Sequence, residues 1–107
     1  MKKNFVFGAA DTVKSSVIAK MGELAYYVVN VPNFTNNVTA VVTFEDADGM
    51  VMYTSATFNR NSHNEVKEPT EIPVEDSWTM KVTLSGAPGG TGGTVVVALP
   101  GMDSPGW

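Results

Sequence analysis

Val38 to Phe58 reads VTAVVTFEDADGMVMYTSATF, and this stretch decides the fold class. Val38, Ala40, Val42 and Phe44 fall on one side of an extended strand, while Thr39, Val41, Thr43 and Glu45 fall on the other. Asp46-Ala47-Asp48-Gly49 then has the composition of a tight turn, and a second β-rich run starts at Met50. The stretch is therefore expected to form a β-hairpin. Two strands alone are marginal in water, so other strands must cover its apolar side.

The chain supplies them on both sides of the hairpin. ELAYYVVNV, from Glu23 to Val31, is apolar on both faces, as expected of a central strand, and Pro32 ends it. SWTMKVTLS, from Ser77 to Ser85, alternates cleanly, with Trp78, Met80, Val82 and Leu84 expected inward. Strands are expected near 23–31, 38–45, 50–58, 77–85 and 94–99, with weaker ones near 5–9, 13–18 and 71–74. The fold class is all-β: a small β-sandwich of about six to eight mostly antiparallel strands. Its topology, immunoglobulin-like or jelly-roll-like, is open at this point. Residues 1–22 read as an N-terminal arm or weak strands, 23–100 as the sandwich domain and 101–107 as a C-terminal tail.

Composition narrows the function. The chain has 107 residues, room for one domain, and 43% of them are hydrophobic, which argues against disorder. A formal charge of -4, with Arg60 the one arginine, leaves no basic stripe for phosphates, so nucleic acid is not an expected partner. Without cysteine, disulfides and thiolate chemistry are excluded, and packing and hydrogen bonds must hold the fold. No stretch reaches the eighteen or so apolar residues of a membrane helix. No membrane partner is expected.

Few residues could carry chemistry. His63, the single histidine, sits between Ser62 and Asn64 in a polar stretch with no nucleophile elbow. Asp46, Asp48 and Gly49 begin like a calcium loop, yet Met50 and Met52 follow and no acidic closure appears. Gly89-Gly90-Thr91-Gly92-Gly93 lacks the Gly-Lys-Ser/Thr ending of a phosphate loop and precedes a β-rich run, so it reads as a mobile hairpin connection. No enzyme activity, metal or cofactor is expected. Two surfaces remain. Tyr27, Val29, Val31, Val41 and Val96, with Trp107, are expected to form a subunit or particle interface, because they are the apolar residues of the strands' second faces. Glu65, Glu68, Glu71, Glu75 and Asp76 are expected to form an acidic rim on a largely solvated loop. A carbohydrate-binding sandwich using exposed aromatic rings is the alternative.

Val28 to Pro32, Thr35 to Thr39, Glu45 to Gly49, Tyr53 to Ser55, Val82 to Gly86 and Gly89 to Leu99 together resemble small accessory proteins of tailed-bacteriophage particles. The resemblance spans most of residues 28–99 and implies a virion structural role, as capsid decoration or head-tail accessory. It implies a major capsid or other virion protein as partner, and localisation to a virion assembled in the host cytoplasm. Self-association is expected alongside, a trimer being the favoured size. No catalytic residue is carried over.

Overall fold

The structure, a computed structural model, describes residues 1–18, 22–75 and 77–100, and for residues 23 and 68–72 the backbone alone. Nine strands follow in order: β1 (Lys2–Phe7), β2 (Val13–Val17), β3 (Gly22–Val31), β4 (Thr39–Glu45), β5 (Val51–Thr54), β6 (Phe58–Asn59), β7 (Ser62–Val74), β8 (Thr79–Leu84) and β9 (Gly93–Ala98). They form two sheets. One has the order β1-β9-β3-β7, the other β2-β8-β4-β5, with β6 also on β4.

The pairing identifies the topology. Counting β5 and β6 as halves of one broken strand on β4, the antiparallel pairs are β1 with β9, β2 with β8, β3 with β7 and β4 with β5/β6. Strands equidistant from the β4–β5 hairpin pair with each other, so the chain is one long folded ribbon. Rolling that ribbon adds the β3–β9 and β4–β8 pairs and makes an eight-stranded jelly roll. The hairpin on which the fold class turns is the far end of the ribbon. Residues 2–7 and 13–17 belong to the sheets and are not a detached arm.

Between the sheets lies an apolar interior that contains no polar or charged residue among those described. Phe5, Phe7, Val95, Val97, Tyr27 and Val29 face Ala40, Val42, Phe44, Met80 and Val82, and all are buried. Trp78, Met80, Val82 and Leu84 point inward as their alternation requires. The Tyr27 and Tyr53 hydroxyls lie 2.5 Å apart and join β3 of one sheet to β5 of the other. Each ring also meets a neighbour edge-on, Tyr53 standing against both Tyr27 and Phe44.

At the turn between β4 and β5, one side chain accepts two of the local hydrogen bonds. Asp46 Oδ1 accepts hydrogen bonds from the backbone N–H groups of Asp48 and Met50, both at 2.9 Å. Gly49 N–H donates to the Asp46 carbonyl, and Gly49 sits at φ +84°, where a side chain is disfavoured. Asp46 thus acts within an Asx-type turn and is not poised as a calcium ligand. Asp46→Ala is expected to lower stability by about 1 kcal/mol, because two exposed backbone donors revert to water. A urea titration with unchanged slope and a lower midpoint would show it.

Two expectations are corrected. Residues 62–74 form a thirteen-residue strand along the edge of the first sheet, so the weak strand expected at 71–74 extends back through the stretch expected to be a solvated loop. Pro69 and Pro73 lack N–H donors, which an outermost strand tolerates because one side of its backbone has no ladder to serve. The glycine-rich segment after β8 is packed, not mobile: Asn36 N–H bonds the Pro88 carbonyl, Gly89 N–H bonds the Ala9 carbonyl, and Asn36 Nδ2 bonds the Ala87 carbonyl. Gly89, Gly90 and Gly92 all adopt positive φ there.

Candidate functional site

Apolar side chains left in solvent are the feature most in need of explanation. Among the described residues the exposed large hydrophobics are Val6, Val13, Val17, Met50, Val51 and Met52. All but Val6 belong to the β2-β8-β4-β5 sheet or to the residue that leads into β5. Their placement follows from the ladder. Val13 stands opposite Thr83, which stands opposite Val41; Val17 stands opposite Thr79, which stands opposite Glu45, and Glu45 opposite Val51. Cross-strand partners share a face, so Val13, Val17, Thr79, Thr83, Val41 and Thr43 line the outer side of this sheet.

β2 is reversed relative to an ordinary edge strand. Lys14 and Ser16 oppose Val82 and Met80, both buried, and so lie on the core side, while Val13, Ser15 and Val17 face out. Val13 is 47% exposed and Val17 60% exposed, values that leave both valines available for contact. The face carries one ion pair, Lys81 Nζ to Glu45 Oε2 at 2.7 Å, which neutralises its only described opposite charges across neighbouring strands. The face thus mixes exposed valines with threonines and one internally neutralised ion pair, a composition that can pack against another protein without leaving an unpaired charge.

The expected interface residues are not brought together. Tyr27, Val29 and Val31 are 0%, 0% and 2% exposed and belong to the core. The cause is a register shift between Leu24 and Tyr26, which breaks the alternation so that Leu24 and Tyr27 both point inward. Val41 lies half-buried on the outer face of one sheet. Val96 lies half-buried on the outer face of the other, between Asn4 and Asn30, so the two are on opposite sides of the sandwich. Trp107 lies outside the described residues. Of the acidic rim, Glu65 is exposed on β7 and Glu75 is exposed just beyond it; the side chains of Glu68, Glu71 and Asp76 lie outside the described residues. Val13, Val17, Val51 and Met52 were not singled out from sequence. The alternation of valine with lysine and serine in VKSSV was the available signal, but it does not tell which side faces out.

Other chemistry finds no support. His63 is exposed, with Nε2 4.0 Å from Glu65 Oε1, and Ser62 Oγ donates to the Asn59 carbonyl, so the two do not form a nucleophile and base. Among the described residues no three His, Cys, Asp or Glu side chains gather closely enough to hold a metal, and no helix is long and apolar enough to cross a membrane. Asp11 is the one described acid with a clear shift. The Gly8 N–H, donating at 2.8 Å, and then the Lys14 ammonium at 3.3 Å hold its carboxyl below the usual range. This fastens the β1–β2 corner and is not a catalytic environment.

No protein-family model and no curated protein matches the chain. Among the solved structures that match the chain are several from infectious bursal disease virus. The particle of the Gx strain is 15% identical, with a TM-score of 0.32 over 97% of this chain and 33% of that one. The T13 viral particle is 14% identical, with a TM-score of 0.36 over 94% and 32%. The VP2 subviral particle is 14% identical, with a TM-score of 0.31 over 97% and 34%. This chain spans about a third of the length of those chains. These structures are of this virus and none of them is of a tailed bacteriophage, so the expected kinship with phage accessory proteins is withdrawn. The chain is a jelly-roll β-sandwich with exposed valines on the outer face of one sheet.

Proposed function

We propose that the protein is a structural component of a virus particle, packing against neighbouring subunits through the outer face of the β2-β8-β4-β5 sheet. The observation that carries this is the concentration of exposed apolar side chains, Val13, Val17, Val51 and Met52 with Met50, on that sheet and its hairpin. Jelly rolls serve as capsid, lectin and small-ligand domains, so the fold alone does not choose among them. The surface chemistry favours assembly. A sugar platform needs rings in solvent, whereas Phe34, Phe58, Tyr27 and Trp78 are buried and, of the described rings, Tyr26 and Tyr53 are only part-exposed, Tyr53 with its hydroxyl against that of Tyr27.

Sedimentation velocity over a concentration series is the test. Wild-type protein is expected to enter fast-sedimenting assemblies, and Val41→Lys, placed in the middle of the face, to raise the concentration needed by at least about tenfold. An unpaired ammonium buried at a contact costs more than the ~1.4 kcal/mol that a tenfold change represents. The same substitution should leave the isolated fold intact, since Val41 is already half in solvent. Assembly that is indifferent to Val41→Lys, or a selective glycan ligand with no assembly, would overturn the proposal.

A further inference from the structure

β2 is an edge strand whose free side matches a second copy of itself. Leu84 N–H bonds the Thr12 carbonyl and Ile18 N–H bonds the Trp78 carbonyl. In an antiparallel ladder the bonded residues alternate, so Thr12, Lys14, Ser16 and Ile18 aim their backbone groups at β8. Val13, Ser15 and Val17 therefore aim their N–H and C=O groups away from the sheet. Among the described residues β2 has no strand on that side, and one group reaches it: the exposed Lys3 Nζ, 3.5 Å from the Val17 carbonyl.

We propose that two copies of this chain pair through β2, antiparallel, about a two-fold axis at Ser15. The sequence Val13-Lys14-Ser15-Ser16-Val17 is self-complementary in that register. Ser15 meets Ser15 of the second copy, Val13 meets Val17, and Lys14 meets Ser16, so no two lysines stand opposite each other. All three outward-aimed residues then belong to bonded pairs, giving six hydrogen bonds, with Val17 exchanging its long contact to Lys3 for the N–H of Val13 in the second copy. The exposed valines of each copy become cross-strand neighbours and shield one another. The result is one continuous sheet, β5-β4-β8-β2 followed by the same four strands in reverse. Of the outermost strands β1, β2, β5 and β7, β7 carries Pro69 and Pro73 and β1 opens with Lys2 and Lys3; β2 has no proline and no charge of its own on its outward face, and among the described residues Lys3 is the one charged group that reaches its free side.

This pairing does not rest on the virion role, and its test is separate. Light scattering across concentration is expected to show the mass rising from 11.4 kDa toward twice that value. Ser15→Pro removes the central outward N–H without touching the β8 ladder and is expected to stay monomeric with an unchanged far-UV spectrum. Because the chain has no cysteine, Ser15→Cys is a clean reporter. Bonded antiparallel pairs hold Cα atoms about 5.5 Å apart, inside the disulfide range. Ser15→Cys is expected to form disulfide dimers at least about tenfold faster than Thr91→Cys in an exposed loop, because pairing raises the local thiol concentration. A mass fixed at the monomer value at every concentration, or equal crosslinking at positions 15 and 91, would overturn the proposal, whatever Val41→Lys does to assembly.

Discussion

Gly92→Ala is expected to destabilise the protein by about 3 kcal/mol or more, enough to unfold a marginal domain at physiological temperature. Gly92 has φ +74°, a region where a non-glycine residue costs on the order of 1–3 kcal/mol. A Cβ there would also collide with the Phe7 carbonyl oxygen and press on the Gly8 carbonyl carbon. Neither is the end of a flexible side chain. The backbone at the end of β1 would have to retreat, and with it Phe7, which is 1% exposed and packs edge-on against Phe34. Thermal unfolding by circular dichroism checks this, and a shift smaller than a few degrees would show that the loop yields cheaply. Thr91→Ala, one residue away but exposed, is the comparison and is expected to be near neutral.

Phe44→Ala is expected to cost about 3–5 kcal/mol, the range for removing a fully buried aromatic ring. Phe44 is 0% exposed at the hairpin end of the core, where its ring meets Tyr53 edge-on with centroids 5.9 Å apart. Removing it leaves a cavity and deprives Tyr53 of one wall. Tyr53 in turn holds the hydroxyl contact to Tyr27 that ties the two sheets. For a domain of this size each kcal/mol moves the melting temperature by roughly 4–8 °C, so a fall of well over 10 °C is expected. Phe44→Leu keeps most of the apolar volume and should recover more than half of the loss. A Phe44→Ala protein that melts within a few degrees of the wild type would mean that the sheets close over the vacancy.

The two positions differ in how they were legible. Phe44 was assigned inward from period-two alternation alone, and its burial follows directly from the hairpin. Gly92 was one of five small residues in a segment read as mobile. Its strict requirement comes from Phe7, 85 positions away in sequence, whose carbonyl reaches it only when the ribbon has rolled up. Likewise, Tyr27, Val29 and Val31, expected on an outer face, lie in the core. Alternation in ELAYYVVNV was sound on each side of Ala25, yet the shift between Leu24 and Tyr26 reverses its sign midway.

By itself the sequence determined that the chain is all-β, where the hairpin lies, and which side of residues 38–45 and 78–84 turns inward. These are local properties: side chains alternate along any extended strand, and turn chemistry at Asp46 to Gly49 acts within five residues. The tertiary structure alone decided that the sandwich is a jelly roll, that residues 62–70 are a strand, that Tyr27, Val29 and Val31 are core, and that Val13 and Val17 face solvent. Each of these depends on which strand lies alongside, and β1 finds β9, and β2 finds β8, across most of the chain's length. Alternation fixes that two faces exist; the neighbour bonded across the ladder fixes which of them is covered.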